Sequence, residues 1–444
     1  MKGKVSKGKG AALARGRAQK PRGKKGQVHR CRNCGKRGHR TGPNCPSWKA
    51  LAGKKGSATK ASLARKPPYF HNRPSTRESG GHKSRLAALA QPSFCDLPTD
   101  EVRCFKGLRA LGFFPSYRLE QRRCWQCRSS VRVYARGATK FGPCLECTNQ
   151  SCRAVVRPTA FTPLYRTALT YVQYQKLAYL YALGLRVDQT VHVVGLTYKV
   201  VEKCFHAFAV VTAWAEFQEG RSLRIDEGEG EADGAKFGVL GKGKPTSEHV
   251  GRMLAVASRH TGAQVLMPLS ARSVPTGRNP GPESFDEVHT KLKRTFKDGS
   301  ILVTDGAQAF KKHARVLKRP AAFACNHTRG QFSRFGKVAL NVLSRKTQEN
   351  AKKRSSTSRS SMRVTVSTNM VEGYIGNVKK QMARKGLLGG GAARNATVNA
   401  LASSWLLKHS GLKALGCAMR GYISAHVDKK KPGAFWVTAF VADE

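Results

Sequence analysis

The sequence predicts a multidomain chain in which an α/β core follows a disordered basic arm, cysteine-rich modules and a helical segment. Three observations predict it. From about residue 222 onward, short apolar runs bounded by Gly or polar residues alternate with helical patterns, the texture of α/β folds. Two sets of cysteines, drawn from thirteen in the chain, carry metal-ligand spacing. The first 30 residues hold eleven Lys or Arg and no acid.

With 444 residues the chain has room for two or three domains. Lys and Arg number 81 against 26 Asp and Glu, a net charge of +55. The fold cannot neutralise such an excess internally, so it points to a polyanionic partner. No apolar run reaches the ~18 residues of a membrane span. The N-terminus lacks the apolar stretch of a secretory signal, so reduced thiols and metal ligation are expected instead of disulfides. These features predict an intracellular nucleic-acid binder with no membrane association.

Residues 1–30 read as a disordered basic arm, because they cannot bury enough apolar surface to offset ordering entropy. A zinc knuckle-like segment spans 31–46, and 47–93, with its Lys, Arg, Ser and Gly and the pair Pro67–Pro68, reads as a flexible linker. Order is expected from Phe94. Val102, Phe105, Leu108 and Leu111 fall at helical spacing before Gly112, opening a zinc-ribbon region over 94–160. Residues 161–220 read as three helices, Tyr171 to Leu183, Val187 to Val194 and Val200 to Phe217, broken at Gly184 and Gly195. Their Gly-linked arrangement suits a helix-turn-helix-like DNA-binding segment, or a plain helical spacer.

The α/β core is assigned to 221–385. Strands are expected at Arg252–Ala257, Gln264–Pro268, Ile301–Thr304 and Ala321–Cys325, and helices at Ser284–Phe296, Ala307–Leu317 and Asn369–Ala383. Ser344–Met362, rich in Ser, Arg and Lys, reads as a flexible insertion. Residues 386–444 form a C-terminal region with a helical stretch around Ala400–Leu407.

Cys31, Cys34, His39 and Cys45 are separated by two, four and five residues. A loop this short can wrap one tetrahedral Zn²⁺, and Gly35 and Gly38 permit the turns. The set is similar to zinc knuckles, which bind single-stranded nucleic acid, and basic residues flank it. Cys124-x2-Cys127 and Cys147-x4-Cys152 form a second set, two thiolate pairs as in a zinc ribbon. Cys144 competes for a place in it. Cys95, Cys104, Cys204, Cys325 and Cys417 are expected to be small buried hydrophobes.

Acids are scarce, which makes their positions informative. Asp305 ends the apolar run Ile301–Val303, and Glu372 lies on a helix whose apolar stripe is Val371, Ile375, Val378 and Met382. Asp226 and Asp233 stand at the head of the α/β region. Carboxylates converging from strands and a helix repel one another unless divalent cations neutralise them, and hard oxygen ligands select Mg²⁺ or Mn²⁺. Pairing of each acid with a surface base is the alternative.

Four blocks in order resemble the Merlin superfamily of cut-and-paste DNA transposases and related bacterial insertion-sequence transposases. The ribbon, Cys124-Trp-Gln-Cys127 to Cys147-x4-Cys152-Arg153, leads into Thr159-Ala-Phe161. Glu231-Ala-Asp233-Gly-Ala-Lys-Phe237-Gly238 is similar to the family's E-x-D-E-S-x-F-G, with Gly234 where the family has Glu. Val303-Thr-Asp305-Gly306 with Phe310, then Asn326-His327, resembles T-D-G-x-x-x-Y/F and N-H. Ser367-Thr-Asn369-Met-Val-Glu372-Gly373 with Lys379 resembles H-T-N-x-I-E-G and its following Lys.

The resemblance implies an RNase H-like catalytic core with a DDE triad of Asp233, Asp305 and Glu372. Asp226 stays open for the first position and Asn369 for the third. His327 and Lys379 would support the phosphate. The implied activity is metal-dependent DNA cleavage and strand transfer at transposon ends, with DNA ends and target as partners, a homo-oligomer on DNA and a nuclear location in a eukaryotic host. A domesticated, non-catalytic nucleic-acid binder with the same zinc modules is the rival.

Overall fold

A computed structural model describes residues 93–114, 123–124, 126–134, 143–164, 167–237, 251–269, 283–318, 321–325, 333–353, 360–387 and 396–426. The basic arm, the Cys31/Cys34/His39/Cys45 set, all of the linker but Ser93, and His327 lie outside them.

The first helix, α1 (Glu101–Leu111), begins where the Asp100 carboxylate accepts the Arg103 N–H at 2.8 Å and stops at Gly112, whose φ of 101° is left-handed. Phe105 and Leu108 are buried, as their spacing predicts. A small antiparallel sheet follows, β1 (Val131–Tyr134), β2 (Cys144–Cys147) and β3 (Val155–Val156), in that order. Next come α2 (Tyr171–Ala182), α3 (Val187–Val194) and α4 (Tyr198–Ser222). Glu101 reaches across to accept the N–H groups of Tyr171 and Val172 at 2.7 and 3.2 Å, so a carboxylate from α1 caps α2. The turns after α2 and α3 use Gly184 and Gly195 at positive φ.

The central sheet contains β4 (Glu229–Phe237), β5 (Gly251–Ser258), β6 (Gln264–Pro268), β7 (Ile301–Thr304) and β8 (Ala322–Ala324), in spatial order β6-β5-β4-β7-β8. It is mixed: β4, β5 and β6 are antiparallel neighbours, whereas β7 and β8 run parallel to β4. Helices α5 (Phe285–Thr295) and α6 (Gln308–Val316) are inserted around β7. Beyond β8 lie β9 (Arg334–Ala339), α7 (Arg345–Lys353) and β10 (Ser361–Val366), then α8 (Asn369–Arg384), α9 (Ala396–Lys408) and α10 (Leu412–His426). Much of the expected flexible insertion at Ser344–Met362 is therefore structured. The Ser344 hydroxyl starts α7 by accepting the Thr347 N–H, and β10 pairs with β9.

Alternation along β5 sends Met253, Ala255 and Ala257 into one core with α2, α4, α8, α9 and α10, and Leu254 and Val256 into another with α5 and α6. Helices thus cover both sheet faces. The helical segment predicted to bind DNA is built into the first core: Val201, Phe208, Val211 and Ala213 of α4 are fully buried, while most of α3 is solvent-accessible. Glu216 of α4, wholly buried, accepts from the Leu266 N–H at 3.0 Å and Ser404 Oγ at 2.6 Å and pairs with Lys408 at 2.6 Å. A buried charge persists only when partnered so fully, and this one ties α4 to the edge strand and to α9.

Candidate functional site

The cysteine set Cys124, Cys127, Cys147 and Cys152 closes up as the spacing predicts. Cys124 and Cys127 flank the turn before β1, Cys147 ends β2, and Cys152 sits in the following turn. All four Sγ atoms lie within 4.8 Å of one another, a group that could hold a metal ion such as zinc. The pairs Cys124–Cys152 and Cys127–Cys147 stand 3.7 and 3.4 Å apart, near the ~3.8 Å that Zn–S bonds of about 2.3 Å impose on a tetrahedron. Cys144 is buried and outside the group. Cys104, Cys204 and Cys325 are buried as expected, but Cys95 and Cys417 are exposed.

The acids converge on the central strands. Asp233 lies in the middle of β4, and Asp305 follows β7. The parallel register puts Ala232 opposite Thr304, so Asp233 and Asp305 occupy the next positions on neighbouring strands. Gly306, at φ 84°, turns the chain toward α6, and a side chain there would strike the Cys325 carbonyl. Glu372 projects from the first turn of α8, which packs on β4 and β5. Its Oε1 accepts the Thr368 hydroxyl at 2.6 Å.

The electrostatics link these groups. The Asp233 carboxyl is pushed up to about 7, first by burial, then by the charges of Asp305 and Glu372. Among the described residues neither Asp233 nor Asp305 forms an ion pair, so the alternative of acids matched to surface bases does not describe these two. Among the described residues the four cysteines are the only group of three or more His, Cys, Asp or Glu side chains close enough to hold a metal ion, and the carboxylates do not form one. Asp226 is elsewhere. It is exposed and precedes β4, and the four-residue rise from Glu229 to Asp233 alone spans ~13 Å. Its neighbour Glu227 pairs with Lys346 of α7 at 2.8 Å. Asn369 is exposed at the start of α8, and Lys379 lies 5.8 Å from the Phe237 ring centroid.

Three residues of this region were not singled out in the sequence. Glu283, just before α5, carries a fourth carboxyl to Asp233 and raises its pKa further. Glu283 occupies the space a side chain on Gly234 would need. Gly234 stands where the resembled family has Glu, and here another element brings a carboxyl to that spot. Glu231 and Arg259 link β4 to α8. The guanidinium uses all five donors, on Glu231, Glu229, the Thr365 carbonyl, and the carbonyl and hydroxyl of Ser367. The Glu231 motif position was visible, but its partner lies in the turn after β5, where an Arg carries no local signal.

The chain matches no protein-family model and no curated protein sequence. Among the described residues no helix is long and apolar enough to cross a membrane.

Proposed function

We propose that this protein is a DDE-type DNA transposase, similar to the Merlin superfamily, that cleaves DNA at transposon ends and joins the freed 3′-OH to target DNA. The observation that carries the reading is the gathering of Asp233, Asp305, Glu372 and Glu283 in a chain with 81 bases and 26 acids. Asp233 and Asp305, which form no ion pair among the described residues despite such an excess of Lys and Arg, suit a site built for divalent cations. The sheet order, with the first strand central, antiparallel to the second and parallel to the fourth and fifth, supports an RNase H-like core. The four sequence blocks add the family assignment.

The hard oxygens of Asp233, Asp305 and Glu372 fit Mg²⁺ or Mn²⁺. When bound, a pair of such ions activates the attacking oxygen and stabilises the leaving oxygen of a phosphodiester. Asp233 and Asp305 would hold both ions from adjacent strands, and Glu372 would complete one site from α8. The product of hydrolysis is a 3′-OH, which attacks a target phosphorus as the P–O3′ bond there breaks. The four cysteines would hold Zn²⁺ as a structural clip, and the basic surface would contribute salt-sensitive DNA affinity.

Asp305→Asn is the test. It should abolish Mg²⁺-dependent strand cleavage while DNA binding persists. Cleavage equal to that of the parent protein would overturn the enzymatic reading and favour the non-catalytic binder.

A further inference from the structure

We infer that the outward face of the β9–β10 ribbon seats an unpaired DNA base and its neighbouring phosphates, feeding a strand toward the acid cluster. The choice of DNA rests on the proposed transposase reading; the surface itself stands on separate observations.

The two strands pair antiparallel, with Phe335 opposite Thr365 and Lys337 opposite Arg363. Alternation divides the ribbon into two faces. On the inner face Val338, Val364 and Val366 are buried with Ile301 and Val303 of β7. Gly336 lies so close to the Phe323 ring of β8 that a side chain there would collide with it. The ribbon is therefore seated firmly on the central sheet.

The outer face carries Phe335, Lys337 and Arg363, all exposed. Phe335 is 53% accessible, and the Arg363 guanidinium lies 3.5 Å from its ring centroid. An aromatic ring left in water beside a stacked guanidinium is a flat, positive platform on which any base can stack. Lys337, across the strands from Arg363, is placed for a phosphate. Neither strand contains an acid, so nothing on this face repels a polyanion. A protein partner with an apolar patch would have little else to bury here, because the remaining outward positions are small or polar.

The platform is also connected to the site. β10 continues directly into α8, and Arg259 binds the Thr365 and Ser367 carbonyls. Thr365, the cross-strand partner of Phe335, stands seven positions before Glu372. A base held on Phe335 would leave its strand directed along that path.

The test uses the full chain with EDTA present and a single-stranded oligonucleotide carrying one 2-aminopurine as probe, at a salt concentration that suppresses non-specific binding. Phe335→Ala should weaken binding about tenfold, the ~1–3 kcal/mol of one stacked base, with an unchanged salt slope and an unchanged melting temperature. Phe335→Trp should restore binding and fluorescence quenching. Arg363→Gln should weaken binding and lower the salt slope by about one. Parent-like binding by folded Phe335→Ala, or equal losses for fully paired duplex and single strand, would overturn the proposal. Failure of the cleavage test with these binding results intact would remove the nuclease reading and leave the platform standing.

Discussion

Arg259 donates its Nε–H to Glu231 Oε1 at 2.7 Å, and the other oxygen of the same carboxylate accepts the N–H groups of Met370 and Val371 at 2.9 and 3.0 Å. Glu231 stands two residues from Asp233, and Val371 immediately precedes Glu372. One side chain thus fixes the start of α8 relative to β4, replacing the cap that Thr368 does not supply. The Glu231 side chain is 2% exposed and that of Arg259 19%, so the pair is sheltered from screening.

Arg259→Lys keeps the charge but cannot reproduce five fixed donors. It should lower cleavage at least tenfold with DNA affinity and helical content unchanged, because Glu372 would lose its setting and not its chemistry. Arg259→Ala should also destabilise the fold by about 3 kcal/mol, measurable by urea denaturation. Parent-like cleavage by Arg259→Lys would show that the clamp does not position Glu372.

Gly234→Ala places a methyl group where the Glu283 carboxyl lies. Because that carboxyl is the far end of a flexible side chain and can swing aside, the substitution should cost less than about 1 kcal/mol, and adding Glu283→Ala should recover most of it, a coupling expected of residues in contact. Additive losses in the double mutant would contradict the contact.

Without divalent cations, stability should fall as pH rises from Asp233's ordinary 3.8 to about 7. The folded state holds the proton through that window while the unfolded chain releases it, so the contribution is complete below about pH 4 and gone above about 7. Asp233→Asn should remove this decline. Mg²⁺ or Mn²⁺ should stabilise the parent increasingly over the same interval, as the cation replaces the proton. Parallel melting curves for parent and variant across pH 4–8 would contradict the electrostatic account.

Cys127→Ser should remove one equivalent of bound zinc by elemental analysis and lower the thermal stability of the ribbon. Cys144→Ser should leave the zinc content unchanged, since Cys144 lies outside the four-thiol group. Zinc loss in Cys144→Ser but not in Cys127→Ser would reverse the ligand assignment.

Much of this organisation was legible in the sequence, for reasons that differ by element. β6, β7 and α3 emerge at their expected boundaries because each is an apolar run or periodic stretch closed by Gly or polar residues. β4 was invisible to that logic. Its sequence, EGEADGAKF, puts Glu231 and Asp233 at inward positions that hydrophobic alternation reserves for apolar side chains, and only the family resemblance favours Asp233 over Asp226. α7 was hidden by its polarity, and β9 and β10 by their brevity beside Ser- and Lys-rich neighbours. Arg259 and Glu283 act through contacts far along the chain, so no local spacing could announce them. Asp226 and Asp233 were equivalent as carboxylates near a strand; the β4–β7 register distinguishes them.

The most direct measurement of the central claim is Mn²⁺ binding, followed by electron paramagnetic resonance and calorimetry, to the zinc-loaded full chain at pH 8. The account predicts saturable Mn²⁺ binding by the parent that is lost or weakened at least tenfold in Asp233→Asn, Asp305→Asn and Glu372→Gln, and retained in Asp226→Asn. Equal Mn²⁺ binding by the parent and the three cluster variants would contradict it.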